Sequence, residues 1–210
     1  MAELKPPRRR RASQTRSKAT VQKILDATTA LIVERGAQGV TMSEIARRAD
    51  LVMGSLYQYF TDKSAIYRAI LIRHAGEART LLHHYVSGAQ TLEQLTEAIS
   101  LCSDGYFELL QKDRLVVGLW DIVQTDPELL ALDLEDTLQN ARYIAGVAAP
   151  MLPGMDTNRL VASCVLMIQL SLYAGRLARD LPAEIGQEFP AIYKLMLRES
   201  MASWKQAIVT

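Results

Sequence analysis

The stretch that decides the fold is residues 41–63, TMSEIARRADLVMGSLYQYFTDK. Thr41-Met42-Ser43-Glu44 has the form of a capping box, with a threonine hydroxyl at the helix start and a glutamate that reaches back to it. It predicts a short helix to Ala49. A turn over Asp50 to Val52 follows, then a second short helix from Met53 to Phe60. Thr61-Asp62-Lys63 restarts a longer helix to about Val86. Helices this short are marginal alone and must pack on neighbours. Ile45, Ala46 and Ala49 give the first an inner face, and Leu51, Leu56 and Phe60 serve the turn and the second. The small side chains of Ala46 and Ala49 let the two helices cross closely at a steep angle. That arrangement is a helix-turn-helix, whose second helix enters the major groove of DNA.

Met53, Gly54, Ser55, Tyr57, Gln58 and Tyr59 then face outward, and they suit DNA. Gln58 can bond adenine through two hydrogen bonds, and Ser55 can serve a base edge or a phosphate. Tyr57 and Tyr59 offer a hydroxyl to phosphate and a ring to a thymine methyl or a sugar. Lys63 opens the next helix, where its charge and the free backbone N–H groups both favour phosphate. Thr41 and Ser43, at the start of the first helix, complete the expected DNA-facing set, and Arg47 and Arg48 add positive field.

Upstream, Val21, Ile24, Leu25, Thr28, Leu31 and Ile32 form one helical stripe that Gly36 ends. Residues 1–14 read as a flexible basic arm. Pro6-Pro7 blocks a helix there, and Arg8 to Arg11 repel one another. Such an arm can seek phosphate or the minor groove. The formal charge of +1 conceals an asymmetry. Residues 1–75 hold 14 Lys/Arg and 6 Asp/Glu, whereas residues 76–210 hold 10 and 17. A basic front joined to an acidic remainder points to a polyanion partner at one end only, nucleic acid ahead of an anionic membrane surface.

Downstream the pattern stays helical. Thr91-Leu92-Glu93-Gln94 is a second capping box, opening a helix to Gln111. A helix from Asp113 to Gln124 carries Val116, Leu119, Trp120 and Val123. Thr125-Asp126-Pro127-Glu128 supplies a cap and a proline at the first helical position, Asp156 caps the next helix, and the last runs from Pro190 to about Ile208. No hairpin dipeptide or sustained period-two run appears. The expectation is an all-α chain of nine helices, three in front and six behind. Its domain boundaries are 1–14 for the arm, 15–74 for the DNA-binding domain and 75–210 for the remainder.

Other function classes find little support. Cys102 and Cys164 are far apart and form neither a disulfide framework nor a zinc motif, which suits a reducing cytoplasm. No apolar stretch follows the basic N-terminus, and the apolar run Leu160–Gly175 is shorter than a membrane span and carries Gln169, so no membrane partner is expected. His74, His83 and His84 read as surface histidines without a metal-ligating partner. No phosphate loop or nucleophile elbow is present, so neither an enzyme, a cofactor nor a metal is expected. The rival, a basic-arm binder of polyanions or membrane surfaces without operator specificity, leaves residues 41–63 unexplained.

Residues 41–63 resemble the DNA-binding signature of TetR-type repressors, T-x-x-x-I-A-x-x-A-G-V-S-x-G-[ST]-L-Y-x-Y-F-x-x-K. The matches are Thr41, Ile45, Ala46, Ala49, Gly54, Ser55, Leu56, Tyr57, Tyr59, Phe60 and Lys63. The resemblance is strong over residues 18–70. Two departures matter. The turn glycine is Asp50, a residue that tolerates left-handed backbone better than most. The usual serine N-cap of the recognition helix is Val52, a loss of about 0.5–2 kcal/mol, and Met53 stands where a polar residue is more usual.

The resemblance implies that residues 75–210 form a six-helix ligand-binding and dimerisation domain, and that the chain is a dimeric repressor released from a palindromic operator by a small molecule. The sequence adds its own support. The helix over 160–179 is apolar nearly all round, with Leu166, Leu170, Tyr173 and Leu177 as one stripe and Gly175 permitting close approach. The final helix offers Ile192, Leu195, Met196, Met201 and Trp204. Two such helices per subunit make a four-helix interface. Tyr106, Phe107, Trp120, Val123, Met167, Gln169 and Tyr173 are the candidates for an apolar pocket taking a hydrophobic or amphipathic effector.

Overall fold

The computed structural model describes residues 8–206. Helix α1 (Arg8–Arg35) stops where Gly36 turns to φ +75°. Helix α2 (Met42–Arg48) opens on a complete capping box. The Glu44 N–H donates to the Thr41 hydroxyl at 3.3 Å, and the Thr41 N–H donates to the Glu44 carboxylate at 3.2 Å. Helix α3 (Met53–Tyr57) follows, then α4 (Lys63–Val86), whose cap Asp62 accepts from the Ala65 N–H at 2.8 Å. Beyond these lie α5 (Leu92–Lys112), α6 (Arg114–Val123), α7 (Pro127–Ala148), a 3₁₀ turn (Ala149–Met151), α8 (Thr157–Asp180), α9 (Ala183–Gly186) and α10 (Phe189–Gln206). No strand occurs among the described residues.

Side chains fix most of the breaks. Asp113, Asp126 and Asp156 each accept from the first-turn N–H groups of the helix they open. The second capping box is only half made: Gln94 donates its N–H to Thr91 at 3.2 Å, but its side-chain oxygen accepts from Gln90 at 2.7 Å.

Three expectations about the elements need correction. The arm expected to be flexible over residues 1–14 is helical from Arg8 onward, while residues 1–7 lie outside the described residues. Past Pro7 the run to Gln14 consists largely of good helix formers. Extending an anchored helix costs far less than nucleating one. Helix α3 ends at Tyr57 rather than Phe60, because Tyr59 and Phe60 both turn their N–H groups onto the Leu56 carbonyl. The connection after Pro182 contains an additional short helix, α9, which together with the 3₁₀ turn raises the count beyond nine.

The core falls into two clusters. The first joins α1 to α4 through Ile24, Leu31, Ile32, Ile45, Leu56, Ile66 and Ile70. It does not stop at residue 74. Leu119, Ile122 and Val123 of α6 and Leu129 of α7 belong to the same cluster. Gly118 makes this possible: a Cβ there would stand 2.5 Å from the Ile32 Cγ2 methyl, so α6 reaches α1 only because that carbon is missing. One hydrogen bond crosses the junction and another braces the head itself. The Ser64 hydroxyl donates to the Asp126 carboxylate at 2.5 Å, and the buried Tyr67 hydroxyl donates to the Ala37 carbonyl at 2.7 Å.

The second cluster binds α5, α7, α8 and α10. Met201 and Trp204, expected at a subunit interface, are instead buried in this cluster. Gly175 likewise faces inward, against Leu110 and Phe107 of its own chain. Helix α8 is long and apolar enough to cross a membrane by length and composition, yet it packs on α5, α7 and α10 through Leu160, Cys164 and Met167. Its other face leaves Leu166, Leu170, Tyr173 and Leu177 exposed.

Overpacking a filled contact typically costs about 1–3 kcal/mol. Gly118→Val is therefore expected to lower the unfolding free energy by that amount in urea titrations. An unchanged midpoint would mean that α1 and α6 do not make this contact.

Candidate nucleic-acid interface and buried cavity

The turn between α2 and α3 is closed by Asp50 at φ 56°, the left-handed conformation for which the sequence departs from glycine. The Leu51 N–H then returns to the Ala46 carbonyl at 2.9 Å. Val52 caps α3 without a side-chain hydrogen bond and is exposed, so the cap is lost. Leu56, fully buried, anchors α3 to the core. Met53, Gly54, Tyr57 and Gln58 thereby form an exposed face, with Ser55 half-buried beside them.

Thr41 and Ser43 are exposed at the start of α2 and share a hydroxyl contact of 3.1 Å. Tyr59 departs from the outward position expected of it: it is half-buried and packs with Phe60 against the first core cluster, because the chain has left the helix by then. Lys63 sits at the first position of α4 with its ammonium 5.6 Å from the Tyr67 ring.

Several cations near this face are already engaged. Arg48 pairs with Glu34 at 2.7 Å, and Arg35 pairs with Glu44. The Glu44 carboxyl is held below its ordinary value, first by the Thr41 hydroxyl and then by the Thr41 N–H and Arg35. Arg47 is exposed and has no ion-pair partner among the described residues.

Behind the head, a cavity of about 220 Å³ lies among α4 to α8 and α10. Tyr106, Trp120, Val123 and Met167 line it. The other three pocket candidates do not. Phe107 is buried behind the wall and packs near Tyr193, ring centroids 6.1 Å apart. Gln169 donates to Thr137, itself a lining residue, at 3.0 Å. Tyr173 is largely exposed on the outer face of α8 and meets the Trp120 ring edge-on at 5.5 Å.

The polar part of the wall comes from residues not anticipated. Asp133, Asp136, Thr137 and Asn140 recur along one face of α7 and all line the cavity. Asp136 pairs with Arg79 and accepts from the Asn140 amide at 3.0 Å. Burial, with Asp136 as a second cause, pushes the Asp133 carboxyl up to about 6. The Trp120 Nε1, the Asn140 Oδ1 and the Arg79 Nε are buried without a hydrogen-bond partner. Both cysteines line the cavity as neutral thiols, since burial raises Cys102 to about 11 and Cys164 to about 12. His83, read as a surface residue, is stacked on Tyr143 with centroids 3.6 Å apart, and desolvation lowers its pKa.

The sequence model for bacterial regulatory proteins of the tetR family matches residues 24–70. The chain is 39% identical over 174 residues to the HTH-type transcriptional repressor KstR of Rhodococcus jostii (strain RHA1), covering 73% of this chain and 80% of that relative. It is 42% identical over 102 residues to the HTH-type transcriptional regulator BetI of Serratia proteamaculans (strain 568), covering 47% of this chain and half of that relative's length. Two solved structures share the fold at low identity. SmeT, the repressor of the Stenotrophomonas maltophilia multidrug efflux pump SmeDEF, superposes with a TM-score of 0.68 at 19% identity over 88% of this chain and 91% of its own. RolR, in complex with resorcinol, superposes with a TM-score of 0.64 at 16% identity over 92% and 94%.

The raised Asp133 carboxyl makes a prediction about stability. A carboxyl above its ordinary 3.8 in the folded state disfavours folding while it is ionised, and the penalty fades as pH falls through about 6. Asp133→Asn is expected to stabilise the empty protein by on the order of 1–2 kcal/mol near neutral pH, with the gap in melting temperature narrowing towards about pH 5. Equal melting temperatures at neutral pH would contradict this.

Proposed function

The chain belongs to the TetR family of bacterial regulatory proteins, and on that premise we propose that it is a cytoplasmic, dimeric DNA-binding repressor controlled by a small molecule in the α4–α8 cavity. One observation carries the reading: a capped α2, a left-handed Asp50 and an anchored Leu56 hold an exposed row of DNA-compatible side chains on a basic head. In this reading α3 enters the major groove, where Gln58, Ser55 and Tyr57 meet base edges and sugar–phosphate. Arg47, Lys63, Thr41 and the α4 N-terminus meet phosphate.

The dimer is assigned to the outer faces of α8 and α10. Leu166 is 70% exposed on α8 beside Leu170, Tyr173 and Leu177, and α10, packed against α8, exposes Ile192, Leu195 and Met196, a set of large apolar side chains that a partner subunit would cover. A two-fold pair of heads then addresses half-sites roughly 34–36 Å apart, or a multiple of that.

The small-molecule step follows from the junction between the clusters. Trp120 and Val123 of α6 line the cavity, while Leu119, Ile122 and Val123 belong to the head's core. An occupant that shifts α6 must therefore shift the head. It changes the spacing of the two reading helices and the population able to span the operator. SmeT has been captured with triclosan and RolR with resorcinol, which supports a small-molecule occupant here.

Fluorescence anisotropy on duplexes from the DNA flanking the gene, against a scrambled duplex, tests the reading over a salt series. Gln58→Ala should weaken the specific duplex by about 1–3 kcal/mol and leave the scrambled one unchanged. Arg47→Ala should weaken both alike and reduce the salt slope by about one. Equal wild-type affinity for every flanking segment and for the scrambled duplex would refute operator recognition. Leu170→Glu, on an exposed position, should yield folded monomers in sedimentation and abolish specific binding. A dimer that survives it would move the interface elsewhere.

A further inference from the structure

A cavity walled by apolar side chains ordinarily holds no ionisable group without a partner, because desolvating one works against folding. Helix α7 breaks that rule. Of its four polar lining residues, Asp136 is neutralised by Arg79 and Thr137 is engaged by Gln169. Asp133 has neither a hydrogen bond nor an ion pair among the described residues. Asn140 spends its amide N–H on Asp136 and keeps its Oδ1 buried without a donor. Independently, Trp120, only 7% exposed, lines the same cavity with an indole N–H that has no acceptor. These groups lack a partner among the described residues, and their sign is biased. With Asp136 and Arg79 cancelling, Asp133 is the lining carboxylate left without an ion pair; His74 of α4 lines the same cavity but makes no ion pair with it, and two acceptors lack donors along one face of α7.

We infer that the cavity selects a small hydrophobic amine, whose ammonium group pairs with Asp133 and donates to Asn140 Oδ1 while its apolar body packs against Trp120 and Tyr106. The inference rests on the reading of the cavity as the effector site. An ammonium supplies several donors where the wall supplies surplus acceptors. It also gains from nearby aromatic faces, which a neutral or anionic group does not. A carboxylate in the same place would meet Asp133 with like charge. A neutral guest would strip water from Asp133 without replacing its hydrogen bonds. The size of the cavity, below the roughly 300–1,000 Å³ of typical ligand pockets, favours a compact molecule.

Three probes of nearly one shape separate the possibilities: naphthylmethylamine, naphthylmethanol and naphthoate. Their binding to the full chain is measured by calorimetry at neutral pH. The amine should bind at least about tenfold tighter than the alcohol, with naphthoate weakest, as for one additional charge-assisted hydrogen bond. Asp133→Asn should reduce the amine's advantage to within about twofold while leaving alcohol binding in place. Ala75→Phe, at a half-buried position of the α4 wall, should abolish all three. If the alcohol binds as tightly as the amine, or the amine's advantage survives Asp133→Asn, the charge assignment is wrong. Should that binding still be blocked by Ala75→Phe, the cavity reading stands without it. If no probe binds, or binding survives Ala75→Phe, the cavity reading and the amine assignment fall together.

Discussion

Everything in this chain depends on the place where Ile32 of α1 lies against the bare Cα of Gly118 in α6. Without that approach the head would be a separate small domain joined to the rest by α4 alone. With it, α1, α2, α3 and α4 share one core with α6 and the start of α7. The Ser64–Asp126 hydrogen bond ties the same two regions at a second point. Packed interiors transmit displacement because they contain few voids to absorb it. In the proposed mechanism, a group that moves α6 from the cavity side therefore displaces α3 as well.

The two proposed surfaces share a trait. Each is where the chain gives up local stability. At the head, α3 starts at Val52 without a side-chain cap and is only five residues long, so its position rests on Leu56 and on the Asp50 turn. In the cavity, Asp133 remains without a partner and Trp120 and Asn140 leave buried polar atoms unmatched. Elsewhere the same sequence is careful: Thr41, Asp62, Thr91, Asp113, Asp126 and Asp156 all cap their helices. Thr29 Oγ1 and His83 Nε2 are also buried without a partner, but the lost cap and the unpaired carboxylate fall at the two proposed surfaces, and function is a common reason for such a breach of local consistency.

Much of this was legible in the sequence, for reasons that can be named. Caps and turn residues act over three or four positions, so the α2–turn–α3 unit could be read directly; the left-handed Asp50 and the lost cap at Val52 stood out only against the TetR-type signature. The apolar stripes of α1 and α8 act along one helix and were equally plain. What depended on distant partners was hidden. Tyr59 turns inward because the chain leaves α3 early. Met201 and Trp204 serve their own subunit because α10 packs on α5 and α8. Neither Phe107 nor Tyr173 faces the cavity, the first lying behind its wall and the second on the outer face of α8, which helical period alone does not distinguish. The Asp133, Asp136, Thr137 and Asn140 row was visible as a polar stripe at i, i+3, i+4 and i+7, but without knowing what α7 faces it reads as a solvated side. The engagement of α6 with the head was not visible at all, because a glycine in a helix announces no partner.

Native-state hydrogen exchange tests most directly whether head and cavity wall are one unit. Amides in the second half of α1, around Leu31 and Ile32, and in α6, around Leu119 and Ile122, are followed under rising denaturant. The shared core predicts that both groups open with the same free energy and the same denaturant dependence, and that Gly118→Val lowers both together. If α1 exchanges through its own lower-energy opening while α6 stays protected, and Gly118→Val leaves one of them unchanged, the two regions are independent and the coupling described here is wrong.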